Sequence, residues 1–168
     1  MREADERLRD SRLVFYKEDI DKIDKMLEEM LRLSKAKCAL LIDKDGHLVT
    51  KQGGSSSYDT DTIAALVAGS FAATKEMARI LGEEEFSVLF HQGMKDAIQL
   101  SLIGERTLLA TIFDDKTTVG MVRLYSNEVT KKMVAVFTEA SKKTTPSAKV
   151  ADGYADAARS KVDEFFRD

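Results

Sequence analysis

The sequence predicts an α/β fold in which helices flank one antiparallel five-stranded sheet, in the order helix, two strands, helix, three strands, helix, with an amphipathic C-terminal helix added. Three observations predict it. Apolar residues recur at helical spacing from Ile20 to Leu31 and again from Val119 to Ala140. The stretch CALLIDKDGHLVTKQ is two short strands around a turn. Three further apolar runs between Phe86 and Phe113 are divided by turns containing Gly93 and Gly104.

The first helix, from about Lys17 to Leu33, places Ile20, Ile23, Leu27, Met30 and Leu31 on one face, with Asp24 and Met26 on its flanks. Cys38 to Ile42 reads as a buried strand. Asp43-Lys44-Asp45-Gly46 reads as a turn whose glycine can take positive φ, and His47 to Lys51 as the return strand. GGSSSYDTD is a loop in which Asp59 or Thr60 caps the next helix, and Gly82 ends that helix. Phe86 to His91, Ala97 to Ile103 and Thr107 to Phe113 form an antiparallel meander. From Thr118 to Lys142 a helix carries Val122, Tyr125, Val129, Met133, Val136 and Phe137 on one face, with Leu124 as an outlier.

Beyond it, KKTTPSAK holds Pro146 and reads as a linker. The last segment puts Ala151, Tyr154, Ala155, Ala158, Val162, Phe165 and Phe166 on one stripe. Ordering that helix costs more than its apolar side chains return unless it docks against something. The organisation expected is a charged tail over 1–12, a domain over 13–142, a linker over 143–149 and the amphipathic helix over 150–168.

The second helix, from about Thr62 to Leu81, has an unusual composition. The expected core stripe is Ile63, Leu66, Val67, Ser70, Thr74, Met77, Ala78 and Leu81. The opposite side then collects Asp61, Ala65, Ala68, Gly69, Ala72, Glu76 and Arg79, so its middle turns are almost bare of side chain. A surface so thinned admits a close neighbour.

With 26 Lys and Arg against 29 Asp and Glu, the net charge is -3, and no basic field exists to attract a phosphate backbone. Nucleic acid is not an expected partner. The opening residues MREADERLRD lack the apolar run of a signal peptide, and no apolar stretch is long enough to span a bilayer. The reading is a soluble, cytoplasmic chain. The single cysteine, Cys38, lies in an apolar run and is read as core.

Catalytic patterns are missing. Gly53-Gly54 is followed by serines rather than by the lysine of a phosphate-binding loop. His47 and His91 sit at strand positions with no cysteine or second histidine at ligand spacing, so no metal is expected. Glu83 to Glu85 and Asp114-Asp115 flank helices, where acidic side chains favour the positive dipole end. Arg79 is a surface arginine, read as solvated rather than as a group acting in trans on a nucleotide. No cofactor is expected, and no active site.

The strand and turn ALLIDKDGHLV, the helix ALVAGSFAATKEMARILGE, and the segments FSVLFHQGMKDAIQLSLIG and TLLATIFDDKTTVGMVRL together resemble the Roadblock (dynein light-chain type) domain family, in its branch that regulates bacterial Ras-like polarity GTPases. The resemblance runs from about Leu13 to Lys142 and reaches more weakly into VDEFFRD. It implies a homodimer whose central strands pair across the two-fold axis, with the two second helices side by side. Phe86, Val88 and Phe90 would then lie in the pairing strand, and Phe71 would face its symmetry mate. The resemblance also implies one Ras-like (MglA-type) small GTPase per dimer, docked on Ala65, Ala68, Gly69, Ala72, Glu76 and Arg79. Hydrolysis would be stimulated without a donated arginine. The tail helix, through Tyr154, Val162, Phe165 and Phe166, would touch the GTPase or dock on its own domain. Where relatives often carry asparagine after the helix glycine, this chain has Ser70. The resemblance further implies a cytoplasmic protein of polarity or motility, placed at a cell pole. Two rival readings are a scaffold that recruits a GTPase or another Roadblock protein without altering hydrolysis, and a small-ligand sensor.

Overall fold

Eight elements follow the expected order in the computed structural model, which describes residues 15–54 and 57–165, with side chains up to residue 142. Helix α1 spans Lys17–Ser34, strands β1 and β2 span Cys38–Asp43 and Leu48–Gly53, and helix α2 spans Thr60–Leu81. Strands β3, β4 and β5 cover Val88–Gln92, Ala97–Ile103 and Thr107–Phe113, and helix α3 covers Val119–Phe165. The strands form one sheet in the order β2-β1-β5-β4-β3, with every neighbouring pair antiparallel.

The central strands explain the unbroken apolar runs. β1 and β5 lie inside the sheet and are covered on both faces, so alternation with polar residues is lost and nearly every residue is buried. Cys38, Leu40, Ile42, Leu108, Ala110 and Ile112 face α2, where they meet Ala64, Val67 and Phe71. Ala39, Leu41, Ile103 and Leu109 face α1 and α3, where they meet Ile23, Leu27, Met30, Met133 and Phe137. Burying a side chain of this size contributes about 1.5–3 kcal/mol.

Local sequence sets the element ends. Asp19 accepts the Tyr16 backbone N–H at 3.1 Å at the start of α1. Gly46, at φ +91°, turns the β1–β2 hairpin, and Gly82, at φ +80°, closes α2. Asp59 caps α2 by accepting from the Thr62 amide at 3.1 Å and the Thr62 hydroxyl at 2.7 Å. Those bonds, the hydroxyl first, hold its carboxyl below the usual aspartate range. A depressed carboxyl stabilises the fold above its ordinary pKa, and that contribution is lost as pH falls through the folded value. Asp59→Ala is expected to lower Tm by a few degrees at neutral pH, with the gap from the unmutated chain closing as the pH falls below the ordinary aspartate range. Thermal melts across that range check it.

Besides a shift of β2 from the expected His47–Lys51 to Leu48–Gly53, three features differ from the sequence reading. Strand β3 begins at Val88, not Phe86, because ladder pairing starts at Val88 with Ser101 and only one further bond, Leu102 N–H to Ser87 O at 2.9 Å, extends it. Phe86 therefore precedes the strand. Helix α3 is a single element through residues 143–149, where a linker was expected. Pro146 removes one backbone donor, but Lys142, Lys143, Ala148 and Lys149 around it are good helix formers and do not force a stop.

The third difference is the roll of α2. Leu66, Met77 and Leu81, expected in the core, are exposed, whereas Phe71 and Ala68 are each only 8% exposed. Phe71 carries the largest side chain of the helix, and turning it onto the sheet buries the most apolar area. The small residues then let the hairpin turn approach: a Cβ built on Gly46 would lie 3.0 Å from the Ala65 Cα and 3.5 Å from the Ala68 Cβ. At Ala65 and Ala68 the neighbour that the thinned helix admits is its own β1–β2 turn.

Candidate functional site: the outer face of α2 and the free edge of β3

With Phe71, Val67 and Ala64 turned inward, α2 presents an apolar stripe to solvent. Leu66, Gly69, Ala73, Met77 and Ile80 follow one another at spacings of three and four residues, and all are exposed. Leu66 is 66% exposed and Ile80 76%. The stripe covers about 21 Å at 1.5 Å per residue. A Cβ on Gly69 would meet nothing within 4 Å, so a second surface could approach the helix backbone there.

The expected GTPase-facing residues divide around this stripe. Ala65, Gly69, Ala72, Glu76 and Arg79 are exposed along one flank. Ala68 is not among them, because it is covered by the Gly46 turn. Arg79 Nε and Glu76 Oε2 pair at 2.7 Å, a surface ion pair one turn apart. Leu66, Met77 and Leu81 were expected in the core and Ile80 was assigned to neither face, yet all four are exposed. The apolar character of the first three alone argued for the core, and only the geometry of Phe71 could have overturned it.

The second feature is the edge of the sheet. β3 pairs with β4 on one side only. Val88 and Phe90 are half-buried on it, and Phe90 stacks on Phe113 with ring centroids 6.0 Å apart. A free strand edge is a ready template for pairing with another chain. Phe71, expected at a subunit interface, instead packs inside its own domain against β1 and β5. The side chains of Tyr154, Val162 and Phe165, and all of Phe166, lie outside the described residues.

The loop before α2 is tied to the turn that leads into β4. Lys37 Nζ lies 3.0 Å from Asp96 Oδ1, and the Tyr58 hydroxyl donates to Asp96 Oδ2 at 3.4 Å. The Tyr58 hydroxyl and then the Asp96 carboxylate hold the Lys37 ammonium above the ordinary lysine range. This cluster connects the entrance of α2 to the hairpin that carries the free edge.

Asp43, Asp45 and His47 bring donor atoms within 4.8 Å of one another in the β1–β2 turn. Asp43 Oδ1 accepts the backbone N–H of Asp45 at 3.0 Å and of His47 at 2.9 Å, while Oδ2 lies 3.2 Å from His47 Nδ1. The carboxylate is thereby occupied in shaping the turn that rests on α2. Among the described residues no helix is long and apolar enough to cross a membrane.

The comparisons agree with this architecture. The family described as Roadblock/LC7 domain matches residues 22–113. Myxococcus xanthus MglB is similar at 34% identity and a TM-score of 0.72, over 76% of this chain and 96% of that one. The gliding protein MglB of Thermus thermophilus is similar at 33% identity and a TM-score of 0.71, with the same coverage. A structure described as MglB with tetrameric arrangement is similar at 33% identity and a TM-score of 0.73, again covering 76% of this chain and 96% of that one. No curated protein is matched. An antiparallel sheet in the order β2-β1-β5-β4-β3 between α2 and the α1–α3 pair, matched by sequence over most of its length, places this chain in the Roadblock/LC7 family, closely related to bacterial MglB.

Proposed function

We propose that the chain is a homodimeric regulator that binds a Ras-like small GTPase of the MglA type, one per dimer, and stimulates its GTP hydrolysis. In that role it controls cell polarity or gliding motility from the cytoplasm, at a cell pole. The observation that carries this reading is the near-complete coverage of MglB chains at 33–34% identity. The outer face of α2 supports it, because it combines an apolar stripe suited to self-association with a thinned flank that a partner can approach.

In the dimer, β3 pairs with its symmetry mate through Val88 and Phe90, and the Leu66–Ile80 stripes of the two α2 helices pack together. The GTPase docks on the flank of Ala65, Ala72, Glu76 and Arg79, with Gly69 at the border between that flank and the paired stripes. The regulator supplies no reacting group: family members are non-catalytic regulators. It acts by binding the hydrolysis-competent conformation of the GTPase better than the others, and the attainable acceleration is bounded by that difference in affinity. A tenfold acceleration needs about 1.4 kcal/mol of such preference.

The test is the single-turnover GTP hydrolysis rate of the Ras-like GTPase, with and without a molar excess of the chain. Tenfold or greater acceleration is the expected result. Binding without acceleration would replace the activator with a scaffold, and absence of binding would remove the GTPase as partner. One relative is described as tetrameric, so mass in solution is measured alongside.

A further inference from the structure

The packing between α3 and the sheet is apolar at both ends and polar in the middle. At one end Val122 meets Ala97 and Phe113. At the other, Val129 and Met133 meet Ile103 and Leu109. Strand alternation puts the residues between those anchors on the same side: Gln99 and Ser101 on β4, and Thr111 on β5, which is paired directly opposite Gln99. On α3, Ser126 and Thr130 lie one turn apart, between Val122 and Met133.

This belt is buried and unsatisfied. Gln99 and Ser126 are 0% exposed. Both polar atoms of the Gln99 amide, and the hydroxyls of Ser101, Thr111, Ser126 and Thr130, make no hydrogen bond to the protein. A buried polar atom left unpaired costs about 1–3 kcal/mol. A whole belt of them would consume most of the roughly 5–15 kcal/mol by which a domain is stable. No side chain in the belt is charged, so nothing in it calls for an ion. What completes it must be neutral, able both to donate and to accept, and small enough to be enclosed between a helix and a sheet.

We propose that the belt is an internal site for ordered water, a short chain of molecules bridging β4 and β5 to α3. The Gln99 Nε2 donates and its Oε1 accepts, while the hydroxyls serve either role. A buried water makes about three hydrogen bonds, so these atoms suit two or more molecules. The middle of α3 thus rests on the sheet through exchangeable bridges, and its two ends rest on dry apolar contacts. The belt is separate from the α2 face, and this inference stands whether or not the chain regulates a GTPase.

The experiment is oxygen-17 water relaxation dispersion on the full chain, comparing the unmutated protein with Thr111→Val and Ser126→Ala. Thr138→Val serves as a control, since that exposed hydroxyl is already bonded to the Val134 carbonyl at 2.9 Å. A chain of this length carries roughly six buried waters. Each belt variant is expected to remove about one water equivalent from the dispersion amplitude while the control removes none. Unchanged amplitude in both belt variants would overturn the proposal, and so would an equal loss in the control. Should a variant fail to fold, water-to-protein cross-relaxation at the Gln99 amide protons of the unmutated chain decides instead. A long-lived water signal there is expected, and its absence would equally overturn the site.

Discussion

Phe71→Ala is expected to lower the unfolding free energy by about 3–5 kcal/mol, a large part of what a domain of this size possesses. Phe71 is 8% exposed and packs with Ala64, Val67 and the α2-facing side chains of β1 and β5. Removing the ring leaves a cavity that neighbouring alanines are too short to fill. Ala68→Arg acts at the same contact from the other side, because Ala68 lies against the Gly46 turn. A guanidinium forced there must displace the hairpin or remain buried without a partner. Loss of soluble folded protein is the expected outcome, rather than selective loss of binding. Urea denaturation of both variants, followed by circular dichroism at several protein concentrations, measures the effect. A Phe71→Ala chain that unfolds within about 1 kcal/mol of the unmutated one would sink this placement and return Phe71 to a subunit interface.

The second large effect is expected from the exposed stripe. Leu66→Glu combined with Ile80→Glu should leave the monomer's fold intact, since both positions face solvent. It should also weaken self-association at least about a hundredfold, because burying unpaired carboxylates at an interface costs several kcal/mol. Stimulation of GTP hydrolysis should disappear with the dimer. Sedimentation equilibrium gives the association constant, and the single-turnover assay gives the activity. A dimer of unchanged strength would mean that α2 stripes do not meet one another. An intact monomer that still accelerates hydrolysis would separate the docking face from dimerisation.

The elements whose ends depend on near neighbours in the chain were legible before any coordinates. β4 and β5 begin and end where their apolar runs do, and Asp59 and Gly82 bound α2 as their side chain and backbone preferences require. The same is true of the Gly46 turn. The roll of α2 was not legible. That helix is apolar or small over most of its circumference, so a period of 3.6 residues identifies several candidate faces and ranks them by side-chain number alone. The choice fell to the fit of Phe71 onto the sheet and to the approach of the Gly46 turn over Ala65 and Ala68. Two of the expected contact residues, Ala68 and Phe71, changed side with it. The run of α3 past Pro146 was missed because a proline was read as a stop.

Local preference by itself thus determined the order of the elements and the hairpin and helix ends, while the whole register of residues carried a resemblance to a family. Tertiary structure alone decided which side of α2 is surface, where β3 begins to pair, and that Gln99, Ser101, Thr111, Ser126 and Thr130 converge between α3 and the sheet. The physical reason is common to all three: each depends on contacts between segments distant in the chain, where one large ring or one turn outweighs the pattern of the segment that carries it.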